Sequence, residues 1–257
     1  MSGLAASGLS LSLGGRTVLD GIDLAFARGR VTALLGANGA GKSSLLSCLA
    51  GLRAPDAGEV TLDGAAVAGI DRRARARRIG LLPQSADIHW NIDVATLVAL
   101  GRLPHRGRWG ETDADRAAIA RAMAATDISA FAARGVERLS GGERGRVLLA
   151  RVLAGEPDWL LADEPLASLD PAHQIDVLGR LREVATAGAG VIVVLHDLNQ
   201  AARVADDVVL LRAGRVVASG EADAVLTAPA IAETYGISVE IGRTADGCRF
   251  ILPLDRA

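Results

Sequence analysis

The sequence predicts an α/β fold, a parallel sheet with helices on both faces, and three observations carry that prediction. Short apolar runs (Val31 to Leu35, Ile79 to Leu82, Trp159 to Ala162, Val191 to Leu195) alternate with segments whose apolar residues recur at helical spacing. That is the pattern of strands laid side by side with helices packed across them. A glycine-rich loop, Gly36-Ala37-Asn38-Gly39-Ala40-Gly41-Lys42-Ser43, joins the first run to a helical stretch ending at Leu49. The run ending at Ala162 opens onto two carboxylates, Asp163 and Glu164.

In chain order, Leu9, Leu11 and Leu13, then Val18 and Leu19, then Ile22, Leu24 and Phe26 read as strands, with turns at Gly14-Gly15 and Arg28-Gly29. Glu59 to Leu62 followed by Asp63-Gly64 reads as a hairpin. The basic run Arg72, Arg73, Arg75, Arg77, Arg78 reads as a solvated helix face. From Val94 to Met123 the pattern is helical, broken by a loop from Gly101 to Gly110 and ending near Val136, which makes it a helical insertion between strands. Gly141 to Leu153 and Pro171 to Ala187 are helical. The tail adds Val208 to Leu211, a turn at Gly214, Val216 to Ala218, two short helices and a closing hairpin around Asp246-Gly247.

Composition narrows the function. A chain of 257 residues, half of them hydrophobic, buries a full core as one large domain or one domain with subdomains. With 3% aromatic residues, that core is built from Ala, Val and Leu. A net charge of −2 gives no global field for nucleic acid, and three Trp, three Phe and one Tyr are too few for a base-stacking platform. Cys48 and Cys248 have neither disulfide-framework nor metal-ligand spacing, which fits a reducing compartment. Met1 to Ser10 lacks the basic and apolar regions of a leader, and Ala189 to Leu195 is too short to span a bilayer. The expectation is a soluble, unprocessed chain, with any membrane part supplied by another polypeptide.

The strand, glycine loop and helix form a phosphate cradle. Glycines let backbone N–H groups turn inward around an anion, and the helix N-terminus adds partial positive charge. Lys42 is placed to reach the β- and γ-phosphates and Ser43 to hold Mg²⁺; Gly36 to Ser43 and the next residue, Ser44, make up the candidate nucleotide-binding run. Of 28 Lys and Arg, Lys42 is the single lysine, kept where a compact ammonium serves better than a planar fork. About 120 residues on, the strand ending in Asp163 and Glu164 is available beside the loop in a parallel sheet. Asp163 is assigned to the metal and Glu164 to general-base activation of the attacking water.

Leu139-Ser140-Gly141-Gly142-Glu143, directly before a helix and about 20 residues ahead of the acidic strand, resembles the signature motif of the ATP-binding cassette (ABC) ATPases. The resemblance covers nearly the whole chain. Gln84 matches the glutamine linking the nucleotide site to a membrane partner and is placed with the nucleotide and, beside Ser43 and Asp163, with the metal. Pro165 follows the base, Ser168-Leu169-Asp170 matches the D-loop, and His196 matches the switch histidine that contacts the γ-phosphate. His89, His105 and His173 inherit no such role and read as structural or surface residues. Two positions depart from the family pattern: Leu13 stands where an aromatic commonly stacks on adenine, and Gly145 where glutamine is common.

This resemblance implies a P-loop NTPase of ABC ATPase type, with a central mostly parallel sheet, an antiparallel β subdomain, a helical subdomain over approximately 85–155 and a short C-terminal hairpin over approximately 237–254. It implies ATP and Mg²⁺ as ligands and a head-to-tail dimer in which Ser140, Gly141 and Gly142 of one copy cap the ATP held by the other. Val94 to His105, with Leu195-His196-Asp197-Leu198-Asn199-Gln200-Ala201, is similar to the branch of importers for iron–siderophore complexes, haem or cobalamin. That branch implies integral-membrane permease subunits, indirectly a periplasmic or lipid-anchored binding protein, and a peripheral place on the cytoplasmic face of the bacterial inner membrane. A soluble ABC ATPase acting on ribosomes or DNA is the alternative, but the usual second cassette or splitting coiled coil is not present in the sequence. Intact Glu164 and His196 oppose a binding module without turnover.

Overall fold

The computed structural model describes residues 3–84, 92–107, 110–167, 169–245 and 247–256. His89, Ser168 and Asp246 lie outside the described residues. The chain begins with a hairpin, β1 (Leu4–Leu13) and β2 (Arg16–Phe26), then β3 (Val31–Gly36), α1 (Lys42–Leu49), β4 (Ala57–Leu62), β5 (Ala65–Ala66), α2 (Arg72–Arg78) and β6 (Ile79–Leu82). Helices α3 (Val94–Ala99), α4 (Asp113–Ala125) and α5 (Gly141–Ala154) follow. The chain then alternates through β7 (Trp159–Asp163), α6 (Pro171–Thr186), β8 (Gly190–Val194), α7 (Leu198–Val204) and β9 (Asp207–Arg212). The tail is β10 (Arg215–Glu221), α8 (Ala222–Val225), α9 (Ala228–Tyr235) and the hairpin β11 (Ile237–Arg243) with β12 (Arg249–Arg256).

The main sheet has the order β10-β9-β3-β8-β7-β6. Its strands from β9 to β6 run parallel, and β10 is an antiparallel edge. Alternation along β3 sends Val31, Ala33 and Leu35 to the face covered by α5, α6 and α7, and Leu34 to the other. That other face carries a helix and the expected antiparallel β subdomain. Only α1 lies there, through Leu45, Leu46 and Leu49, and the rest is closed by the antiparallel sheet β2-β1-β4-β5 with Leu9, Leu19, Ile22 and Leu62. An eight-residue helix is about 12 Å long; six strands spaced about 4.8 Å apart need a wider cover.

Helices α3, α4 and α5 close around a separate core of Val94, Leu97, Val98, Ala122, Met123, Ile128 and Val147. The break expected from residue 101 starts as a 3₁₀ turn, Leu100–Arg102. Arg102 is buried and donates to the Asp115 carboxylate at 2.8 Å, the Ala154 carbonyl at 3.0 Å and Glu156 at 3.0 Å, tying that turn to α4 and the end of α5. Helix α2 buries no residue, as a solvated face should. Its arginines are nevertheless tethered: Arg73 Nε and Arg77 Nε both donate to the Pro104 carbonyl (2.8 and 2.6 Å), and Arg78 bridges Asp158 and Asp63. Long stems let an exposed helix reach fixed acceptors on neighbouring elements. Among the described residues no helix is long and apolar enough to cross a membrane.

Candidate functional site

The site gathers at the C-terminal ends of the parallel strands, where open α/β sheets bind ligands. β3, the strand between β9 and β8, ends at Gly36 and passes through the loop to the first turn of α1. Gly36 has φ 150°, and a Cβ there would lie 2.2 Å from the Leu211 carbonyl of β9. Gly41, the residue capping α1, has φ 102°, and a Cβ would lie 2.7 Å from the Val18 carbonyl. Both positions combine left-handed backbone with close approach, which admits only glycine.

Lys42 is 6% exposed; its Nζ donates to the Gly36 carbonyl at 2.7 Å and the Ala37 carbonyl at 3.0 Å. Burial pushes its pKa down, and the carboxylates of Glu164 and Asp163 push back. The ammonium therefore sits between the loop and the acidic end of β7. Asp163, the last residue of that strand, is 9% exposed, and burial raises its carboxyl pKa against the opposing hydrogen bond with the Ser43 hydroxyl. Its Oδ1 is buried with no hydrogen-bond partner among the described residues.

Glu164 follows at φ 51°, outside the strand. Its carboxylate is held at both oxygens: Gln84 Nε2 donates to Oε2 at 2.6 Å, and His196 Nε2 lies 2.6 Å from Oε1. Gln84 comes two residues after β6 and His196 two after β8, so three strand ends converge on one carboxylate. With the loop from Asn38 to Ser44 and Val18, these side chains line a cavity of about 650 Å³.

The donor set fits Mg²⁺. A hydroxyl and a carboxylate with one orphaned oxygen are hard ligands, and Mg²⁺ is ordinarily held by one or two carboxylates plus phosphates and waters rather than by a closed protein cage. Among the described residues no group of three or more His, Cys, Asp or Glu is placed to hold a metal ion. Gln84, expected beside the metal from sequence, donates its amide to Glu164.

Other sequence candidates lie elsewhere. Ser140, Gly141 and Gly142 open α5 away from the residues lining the cavity, with Ser140 and Gly141 exposed. Ser140 Oγ accepts the Glu143 N–H at 3.3 Å and Glu143 Oε2 accepts the Ser140 N–H at 2.8 Å, a reciprocal cap. Leu13, at the end of β1, packs half-buried against the core under the antiparallel sheet, while Val18 of β2 lines the cavity. His105 Nε2 lies 2.9 Å from the Gly155 carbonyl, and His173 pairs with Asp170, the N-cap of α6, at 2.6 Å. Both are structural contacts. Sequence reasoning missed Val18 and Tyr235, whose hydroxyl accepts the Gly36 N–H at 2.8 Å. That Tyr235 is the single tyrosine was the one signal available for it.

The family model described as ABC transporter matches residues 19–167. The hemin import ATP-binding protein HmuV of Streptomyces coelicolor is 47% identical over 237 residues, covering 92% of this chain and 84% of that protein. The cobalamin import ATP-binding protein BtuD of Halobacterium salinarum is 42% identical over 253 residues, 98% of this chain and 63% of that one. A metal-chelate type ABC transporter in an inward-facing conformation superposes with TM-score 0.85 at 24% identity, covering 100% of this chain and 98% of that chain. A dimeric bacterial ABC transporter cassette gives TM-score 0.78 at 25% identity, covering 85% and 98%. With the fold, the loop and the acidic strand end in place, the chain belongs to the ABC transporter family, as one of its ATP-hydrolysing subunits.

Proposed function

We propose that this chain energises the uptake of an iron–siderophore chelate, haem or cobalamin through a separate membrane permease, working as a head-to-tail dimer on the cytoplasmic face of the membrane. The observation that carries the reading is the meeting of Lys42 and the doubly held carboxylate of Glu164 on one cavity, with the orphaned oxygen of Asp163 at the adjoining strand end. The relatives named for hemin and cobalamin import support the substrate class.

The loop N–H groups and Lys42 bind the phosphates of ATP. Ser43 and Asp163, with Gln84 beside them, would hold Mg²⁺, which would supply charge neutralisation for the bound phosphates. Glu164 takes the proton of the attacking water. In the structure its two oxygens are engaged by Gln84 and His196, so these two side chains set its orientation. Bound γ-phosphate gives His196 an alternative partner, and the permease gives Gln84 one; either exchange frees an oxygen of Glu164 to act as base. Ser140, Gly141 and Gly142 cap the ATP of the partner copy, and a binding protein outside the membrane delivers the cargo to the permease.

Glu164→Gln should retain ATP binding and slow hydrolysis by roughly 10²–10⁴, the usual share of a general base. Turnover near the native rate would remove Glu164 from that role. The importer reading is checked by ATP-driven uptake of haem, cobalamin and a ferric siderophore, each assayed in proteoliposomes with the permease that copurifies with the chain. An active ATPase that drives none of the three would sink it.

A further inference from the structure

The tail of the chain reaches back to the base of the nucleotide loop. Tyr235, the last residue of α9, packs against the core on the helical face of the main sheet, and its hydroxyl accepts the N–H of Gly36, 199 residues earlier. On the other side of the same Cα, the Gly36 carbonyl receives Lys42 Nζ. Gly36 is thus gripped at its N–H by Tyr235, at its carbonyl by Lys42, and at its Cα by the approach of Leu211. Glycine is the residue least able to hold a conformation by itself, so these outside contacts decide how the first peptide of the loop points.

Two further contacts keep Tyr235 in place. Arg212, at the end of β9, donates to the Glu233 carbonyl of α9 at 2.7 Å. The hairpin that begins two residues after Tyr235 is fastened to α7 by a reciprocal pair: Asn199 Nδ2 donates to the Ile251 carbonyl at 3.1 Å, and Asn199 Oδ1 accepts the Ile251 N–H at 2.7 Å. Asn199 stands three residues after His196. The tail therefore ties the phosphate loop to the helix behind the γ-phosphate histidine.

We infer that Tyr235 is a positioning residue for ATP: it sets the Gly36 backbone against which Lys42 docks, and Asn199 holds the C-terminal hairpin so that Tyr235 stays in register. The inference rests on the reading of Gly36 to Ser43 as the ATP phosphate cradle. Burial pushes the phenol up to about 12 despite the Gly36 contact, so at neutral pH the hydroxyl is a neutral acceptor and adds no charge to the phosphate site.

The test is steady-state ATPase kinetics on the full chain. Tyr235→Phe keeps the ring and removes the acceptor; losing one hydrogen bond should raise KM for ATP about two- to tenfold with kcat within about twofold. A purely structural loss would instead reduce the active fraction, lowering apparent kcat at constant KM. Asn199→Ala leaves the phenol intact and should raise KM in the same direction, and the double variant should rise no further than the larger single one, because both act through one contact. Lys42→Ala separates the two readings: if it loses ATP affinity while Tyr235→Phe leaves KM unmoved, the tail inference alone fails, and if Lys42→Ala binds ATP normally, the cradle reading fails with it. A double variant whose KM increases multiply would also overturn the inference. Should Tyr235→Phe not fold, Asn199→Ala decides: an unchanged KM there rejects the role.

Discussion

Lys42 and Tyr235 are each the single residue of their type, and both meet at Gly36. A guanidinium has a broad planar fork with five donors, whereas the ammonium of Lys42 is a compact donor that meets two loop carbonyls about 3 Å away. Tyr235 gives this pair a direct reporter. Its phenol pKa is raised by burial to about 12, against about 10 for an unfolded chain. A raised folded pKa means that its stabilising contribution is fully present below the unfolded value and is lost as pH rises through the folded one. Tyrosinate absorbance should therefore emerge near pH 12 in the folded protein, with far-UV circular dichroism reporting that the fold persists, and near pH 10 in denaturant. A folded-state midpoint near 10 would mean that the hydroxyl is not buried against Gly36.

Among the elements, the turn after α3 and helix α5 approach each other closely at Gly101. A Cβ on Gly101 would lie 1.9 Å from the Arg151 carbonyl and 3.2 Å from Ala154 Cβ. Neither is the free end of a flexible side chain, so added volume must separate the elements and disturb the Arg102 bonds that cross the same junction. Gly101→Ala should therefore destabilise the chain by about 1–3 kcal/mol, read as a lower urea midpoint. An unchanged midpoint would mean that the two elements part without cost. At the opposite end of α5, Ser140 holds two jobs: it caps its own helix, and in the proposed dimer it faces the partner's ATP.

For the whole molecule, the proposed dimer answers the absence of Ser140 to Gly142 from the cavity lining. An isologous two-fold pair places the loop of each chain against the signature of the other. Cysteines at Ser43 and Ser140, on a background with Cys48 and exposed Cys248 replaced, should crosslink between chains in an ATP-dependent manner. The Ser140 substitution removes a helix cap worth about 0.5–2 kcal/mol, so the reaction is best run well below the unfolding temperature. A crosslink found within one chain and never between two would reject the shared site.

The sequence by itself determined the strands, the helices and the phosphate loop, because these depend on local backbone geometry: apolar period, glycine placement and a helix N-terminus directly after a strand. It also determined that Asp163 ends a buried strand with Glu164 directly after it. Only the tertiary structure decided which strand ends meet. The order β10-β9-β3-β8-β7-β6 interleaves distant parts of the chain and so brings Gln84 and His196 onto the two oxygens of Glu164, while the packing of the antiparallel sheet and of the tail puts Val18 at the cavity wall and Tyr235 against Gly36. The same order left one face of the sheet wider than α1 can cover, and the antiparallel strands closed it. Periodicity says which face of a strand is buried; which neighbour buries it is settled by sheet order and by the long-range hydrogen bonds that no local pattern records.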